Sequence, residues 1–452
     1  PVSNQSDLNK SSAKHDYLYG IGAGAHGWSK DWNEAFIKSI QNRQELDSII
    51  DSKNLFQPQK GDFCLSDLEI VKNDSANWEE GVSFFINDTI YYLFRYVEND
   101  DRGSGFDGFY QNDSAKVALI KSSDRGISFS QPIILESESY NYKGVNGVEM
   151  NDGRIGYFYN EGTVSGGTSA LIFKYTDDNF ETQSSRMVIT TPSLVGMAAA
   201  TGKGISIGDT SIIELSANNI IYSLETYDNG LSWAINDVIA NGNTLGLALS
   251  ETALIRLPDC TLVALIRAGD RDGAFYQSIK RFGGSWTSPV RTNLPPYFNI
   301  APNLILDQNT NSILLFGSAR LSQQFNSFNS LGHPYLSTQD YKFIYKANVD
   351  NIVNPSFYWE MVDSSSRPST GQVSIYGYQS VLRLAQDEYY VIINDQQYNE
   401  DWVINSSLYS YRLFYNPSPS VPCFSNEKEI DQYIGTNEVG IKIAGGLLLE
   451  RS

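Results

Sequence analysis

The chain has 452 residues, 41% of them hydrophobic, and a formal net charge of -19 at pH 7. That is enough apolar material for one large core or two to three ordinary ones, while the negative charge opposes nucleic acid and anionic lipid as partners. Only 19% of residues are charged, and 36 glycines stand beside 28 tyrosines and 22 phenylalanines, a composition that favours short strands joined by tight turns and therefore an all-β protein.

Taken in chain order, the first element is helical. Residues 31 to 50 carry apolar residues at 3-4 spacing behind acidic starts, which predicts one or two short helices in an N-terminal cap or linker, residues 1–64. Alternating strand pairs follow: Val82 to Phe94 broken at Asn87-Asp88, Gly147 to Tyr159 turning at Asp152-Gly153, and Ile212 to Leu224 turning at Asn218-Asn219. Leu254 to Ile266 turns at Pro258-Asp259, Leu304 to Phe316 at Asn309 to Asn311, and a last hairpin runs from Val381 to Ile393. Six such units over residues 65–415 predict a six-bladed β-propeller.

A repeat supports that count. Ser122-Ser-Asp124-Arg-Gly126-Ile-Ser-Phe129 and Thr226-Tyr-Asp228-Asn-Gly230-Leu-Ser-Trp233 share S/T-x-D-x-G-x-x-W/F, the Asp-box of propeller hairpins. Its aspartate serves backbone amides, its glycine takes a left-handed conformation and its aromatic packs beneath the turn. Thr176-Asp-Asp178-Asn-Phe180 and Arg281-Phe-Gly283-Gly-Ser-Trp286 are eroded copies, so the mark recurs about every 50 residues, the length of one blade. These residues belong to hairpin corners and carry no catalysis.

The three cysteines, Cys64, Cys260 and Cys423, are too few and too scattered for a disulfide framework or a zinc site, and no metal or cofactor is expected. No run approaches about 18 apolar residues and the first thirty are polar, which argues against a membrane span and a secretory signal. A start at Pro1 is expected of a trimmed or processed product. The apolar run Ile441 to Leu449 closes a C-terminal segment, residues 416–452, read as a short β stalk that pairs with other chains.

Chemistry concentrates at blade edges. Glu251 and Arg267 bracket one strand-turn-strand unit, and Arg320 ends the next in Phe316-Gly317-Ser318-Ala319-Arg320. Paired guanidinium forks suit a carboxylate, which points to an acidic sugar. Asp101 and Arg102 lie in the glycine-rich loop Asn99 to Gly105, within reach of the pocket from the first blade. The segment from Gln323 to Tyr341, with His333 and Tyr335, is a tyrosine-bearing insertion suited to lining a polymer groove.

Glu251 followed by Leu265-Ile266-Arg267, a degenerate box and then Arg320 resembles the sialidase superfamily, and most closely the phage endosialidase tailspikes that depolymerise polysialic acid capsules. The similarity takes in Asn77-Trp78 through Asp101-Arg102-Gly103, Tyr140-Asn141-Tyr142, and Gly371 to Asp395. It implies that Arg267 and Arg320 hold the sialyl carboxylate beside Glu251, and that the chain is a homotrimeric, extracellular virion tail spike attached to the phage tail or baseplate through its N-terminus. The implied substrate is polysialic acid or a related acidic capsular polysaccharide, cut at internal bonds. Exo-acting sialidases use a further arginine early in the chain; here that segment reads Glu79-Glu80-Gly81-Val82-Ser83, which favours the endo-acting branch. Only Gly162 to Ala170 stands where some endosialidases insert an extra sugar-binding barrel.

Two departures leave alternatives open. The family's histidine after Asn-Tyr is Lys143, a poor proton shuttle near neutrality. Tyr378, in Tyr376-Gly377-Tyr378-Gln379-Ser380, falls near the position of the exo-type nucleophile, with Glu251 as its base. The alternatives are therefore an exo-sialidase using Tyr378 and a non-catalytic adhesin for acidic glycans.

Overall fold

In a computed structural model, the chain divides into two compact units, Pro1–Gln57 with Gln324–Leu336, and Pro58–Gln323 with Ser337–Ser452. The structure describes residues 63–415 except 67–68, 75–76, 98–114, 138–140, 163–167, 190–197, 200–201, 269–273, 295–299, 320–340, 353–357, 367–372 and 399–403, and adds 439–443 and 446–450. All of these belong to the second unit. The helices expected over 31 to 50 lie outside the described residues.

Six antiparallel sheets make the body. Two short strands, β1 (Phe63–Leu65) and β2 (Glu69–Asp74), come first in sequence but belong to the last sheet. Blade 1 is β3 (Asn77–Ile86), β4 (Thr89–Val97), β5 (Lys116–Ser122) and β6 (Ile133–Glu136); blade 2 is β7 (Asn141–Glu149), β8 (Ile155–Gly162), β9 (Thr168–Thr176) and β10 (Met187–Ile189). Blade 3 has a split inner edge, β11 (Ala198–Ala199) and β12 (Ile205–Ile207), followed by β13 (Thr210–Ala217), β14 (Ile220–Thr226) and β15 (Ala234–Asn241). A single helical turn, α1 (Gly242–Leu245), leads into blade 4: β16 (Leu249–Arg256), β17 (Leu262–Ala268), β18 (Phe275–Lys280) and β19 (Val290–Arg291). Blade 5 is β20 (Ile300–Asp307), β21 (Ser312–Ala319), β22 (Tyr341–Asn348) and, after α2 (Val349–Ile352), β23 (Glu360–Ser366). Blade 6 is β24 (Val373–Ala385), β25 (Glu388–Tyr398) and β26 (Ile404–Tyr415), and both β1 and β2 pair with β26. Strands from the two ends of the ring thus meet in one sheet and close it, which removes the free edges an open sheet would present.

The inner strands β3, β7, β11 with β12, β16, β20 and β24 pack in sequence around the centre, so the architecture is the six-bladed, sialidase-like propeller expected. The apolar core lies in the seams between blades. Phe84 and Tyr91 of blade 1 meet Tyr157 and Ile172 of blade 2, Phe158 and Phe173 of blade 2 meet Ile213 and Trp233 of blade 3, and Tyr92 and Phe94 meet Tyr390 and Ile392 across the closing seam. Alternation explains this: with period 2, each inner-pair strand sends one set of side chains to the blade before it and the other to the blade after it.

The hairpin turns follow their sequence signals. Asn87 and Asp88 hold φ of 50° and 58°, and Asn218 and Asn219 hold 51° and 63°, the paired left-handed residues of a two-residue hairpin. The outer turns repeat one hydrogen-bond set. Asp228 accepts from Thr226 Oγ1 at 2.7 Å, Ser232 N at 2.8 Å and Ser232 Oγ at 2.6 Å; Asp178 has the same three from Thr176 and Thr182, and Asp124 from Ser122 and Ser128. Gly126 and Gly230 sit at φ of 92° and 81°, where a Cβ would also strike Tyr390 and Phe173. Blade 2 puts Phe180 there at φ 69° and buries its ring near Tyr91 and Tyr157. Packing offsets the left-handed strain.

Hydrogen bonds from Ser128 and Ser122 lower the Asp124 pKa to about 2, and those from Thr182 lower that of Asp178. At Asp228 burial raises it, but bonds from Ser232 and Thr226 outweigh that. Folded pKa values below the unfolded one stabilise the fold above the ordinary aspartate value of 3.8, and this stabilisation is lost as pH falls through the folded values, which for Asp124 is about 2. Replacing all three aspartates by asparagine is therefore expected to lower the thermal midpoint near neutral pH, with the gap to the parent narrowing as pH falls below the ordinary aspartate range. A gap of constant size across a pH series of melts would remove the aspartate charges from the account.

The apolar run near the C-terminus is a hairpin rather than a single strand: β27 (Val439–Ile443) pairs with β28 (Gly446–Glu450).

Candidate active site

The inner hairpins share a defect in register. Between Leu249↔Ala268 and Thr252↔Ile266, two residues, Ser250 and Glu251, face Arg267 alone. The same two-to-one bulge puts Glu79 and Glu80 opposite Arg95 in blade 1, Gly144 and Val145 opposite Tyr159 in blade 2, and Ala301 and Pro302 opposite Gly317 in blade 5. In blade 6 the extra residue is Gly377, just before Tyr378. A bulge bends its strand and re-aims the side chains beside it, and here five of them fall at the same level of the inner ring.

Glu251 is where three of these bends, those of blades 4, 5 and 6, meet. Its Oε1 accepts from Arg267 Nη1 at 2.5 Å and from Tyr378 Oη at 3.1 Å, and its Oε2 accepts the Ala301 N–H at 2.6 Å. Ala301 offers that N–H from a left-handed backbone, φ 46°, on the bulge of the neighbouring blade. The Arg267 and Glu251 side chains are 11% and 16% exposed, buried enough for the charges to need each other. Two blades thus deliver one carboxylate, one guanidinium and one phenol to a single point, and a third adds a backbone amide. The arrangement can take a proton from the phenol onto a carboxylate whose charge is held by a cation and a backbone amide.

Of the residues singled out from sequence, Glu251, Arg267 and Tyr378 are brought together. Lys143 lies on β7, next to the blade 2 bulge, and only its backbone is described. Arg320 directly follows β21 and, like Asp101, Arg102 and Tyr335, lies outside the described residues.

The structure adds one contributor and draws attention to one buried arginine of blade 1. The Ala301 N–H is a backbone donor that no side-chain pattern marks. Arg95, 2% exposed, donates from Nε to Tyr142 O at 2.6 Å and so joins blade 1 to the strand carrying Lys143. Its signal was present: Glu80 and Arg95 bracket a hairpin much as Glu251 and Arg267 do. Among the described residues no group of His, Cys, Asp and Glu could hold a metal ion.

The six-bladed propeller that carries this carboxylate–guanidinium–phenol cluster has the sialidase-like fold. No protein-family model matches the chain, and no curated protein matches it in sequence. Among solved structures it is similar to a protein of unknown function from Dyadobacter fermentans (TM-score 0.61, 12% identity, covering 78% of this chain and 99% of that one). It is similar also to the endosialidase of phage phi92 (TM-score 0.56, 13% identity, 85% and 74%) and to the NanB sialidase of Streptococcus pneumoniae (TM-score 0.56, 10% identity, 77% and 70%). At these identities the likeness is one of fold.

Proposed function

We propose that the chain is a sialidase-type glycosidase that cuts internal α-ketosidic bonds of polysialic acid or a related nonulosonate polymer, as part of a trimeric phage tail spike. The observation that carries the chemistry is the Tyr378 Oη to Glu251 Oε1 hydrogen bond at 3.1 Å. The tyrosine oxygen loses its proton to Glu251 and bonds to the anomeric carbon as the ketosidic C–O bond breaks; the leaving oxygen takes a proton from an acid, for which Asp101 is the candidate. Water then attacks the same carbon, its proton leaving to that acid, and Glu251 returns its proton as the tyrosine departs. Arg267 and Arg320 hold the substrate carboxylate while positive charge develops on the ring.

The endo mode rests on the absence of arginine from Glu79 to Ser83 and on the similarity to the phi92 endosialidase over 85% of the chain. With fewer groups closing the pocket, a residue inside a chain can enter, and flanking sugars supply binding energy. The exo reading is favoured by the Tyr378–Glu251 pair itself, which the exo enzymes use.

Size analysis of polysialic acid after incubation separates the readings. A rapid fall in mean length with oligomeric products is expected; release of monomer alone would establish the exo mode, and unchanged length with retained binding would leave an adhesin. Arg320→Ala is expected to abolish depolymerisation while the protein stays folded and trimeric. Undiminished activity would take Arg320 out of the clamp.

A further inference from the structure

Tyr378 sits on a strand that is pinned from both sides by the two residues following it. Ser380 Oγ accepts from Ser83 N at 3.0 Å and shares a hydrogen bond with Ser83 Oγ at 2.6 Å, fixing β24 to blade 1. Gln379 points the other way. Its Nε2 donates to Gly317 O in blade 5 at 2.6 Å, and its Oε1 accepts from Tyr411 Oη, on β26, at 2.7 Å. Gln379 is 5% exposed and Tyr411 2%, so water does not compete for either bond, and losing one leaves a buried polar group unsatisfied.

The carbonyl that Gln379 grips is not an arbitrary one. Gly317 faces the blade 5 bulge, where Ala301 gives its N–H to Glu251, and it lies on the strand that runs into Arg320. The connections close on themselves: Tyr378 to Gln379 along β24, Gln379 to Gly317 by hydrogen bond, Gly317 to Ala301 across the hairpin, Ala301 to Glu251, and Glu251 back to Tyr378. One side-chain amide therefore ties the strand that carries the phenol to the strand pair that holds the carboxylate. We propose that Gln379 is a positioning residue that fixes the Tyr378–Glu251 geometry; this rests on the reading of Tyr378 as nucleophile.

The chemistry of the amide supplies the test, because the site requires a group that donates to Gly317 and accepts from Tyr411. In Gln379→Glu an ionised carboxylate can only accept, so it faces the Gly317 carbonyl acceptor to acceptor, whereas the protonated acid restores both bonds. Among the described residues, Lys342 lies near Tyr411, its Nζ 4.0 Å from the centre of the ring, and Asp363 is 3.6 Å from Lys342. They pair with each other, and all variants share them.

Gln379→Glu is expected to lower kcat about tenfold or more near neutral pH with KM within about twofold, and the deficit relative to the parent is expected to shrink as pH falls. A folded variant with unchanged kcat, or with the same deficit at every pH, would overturn the proposal. Should that variant not fold, Tyr411→Phe removes a single hydroxyl; a kcat loss of about threefold or more at unchanged KM supports the proposal, and full kcat overturns it. Should the parent cleave no sialoside, the functional reading fails by itself. The positioning claim is then read from the Tyr378 ring resonance in protein with isotope-labelled tyrosine, assigned by its loss in Tyr378→Phe. The resonance is expected to move in Gln379→Glu, or in Tyr411→Phe, and an unmoved resonance overturns the claim.

Discussion

Tyr378→Phe is expected to lower kcat on polysialic acid by about 10³-fold or more while the protein stays folded. The substitution removes one oxygen atom. The half-buried ring keeps its place, and the fold loses one hydrogen bond, which contributes about 1 kcal/mol; Glu251 retains Arg267 Nη1 and the Ala301 N–H. What disappears is the atom that would form the covalent bond, so the loss should fall on kcat rather than KM. A slow-reacting fluorinated sialic acid oligomer adds a second readout, since it should leave a sugar mass on the tryptic peptide containing Tyr378 in the parent and none in the variant. A parent labelled on another residue, or a variant at half the parent rate, would assign the reaction to water or to a carboxylate.

Much of this arrangement can be read from the chain, and the remainder has physical reasons for being hidden. Asn87-Asp88 and Asn218-Asn219 mark their hairpins because few side chains tolerate two successive left-handed residues. Asp124 and Asp228 mark the outer turns because a carboxylate can satisfy several amide and hydroxyl donors at once. Glu251 and Arg267 are recognisable as a pair because one hairpin carries both. The partner of Tyr378 is a different matter: it lies two blades away, so the family resemblance names Glu251 as its base while nothing in the spacing of the chain does. The bulges leave no mark either, since a register slip is a property of two strands and residues as unlike as Ser250-Glu251 and Ala301-Pro302 occupy it. Closure by β1 and β2 is equally silent, because short strands next to the polar N-terminal segment do not announce that their partner is β26. Gln379 reads as one polar residue in a tyrosine-rich strand until its two buried hydrogen bonds are seen.

Glu251→Gln is expected to cost about 10³-fold in kcat, although shape and volume hardly change. The amide of glutamine cannot take the phenol proton, and its NH2 must face at least one of three donors: Arg267 Nη1, Tyr378 Oη or Ala301 N. The variant therefore loses the base and gains a donor–donor conflict in a site where Arg267 is 11% exposed and has lost its counter-charge. Some loss of thermal stability should accompany the loss of rate, and it separates this variant from Tyr378→Phe, which leaves the ion pair in place. The decisive measurement is the double variant. If Glu251 acts only by drawing the proton from Tyr378, then once the phenol oxygen is gone the base has nothing to do, and Glu251→Gln combined with Tyr378→Phe should be no slower than the slower single variant. Losses that multiply would mean that Glu251 contributes independently, through the substrate or through the orientation of Arg267, and the mechanism would then rest on the carboxylate rather than on the pair.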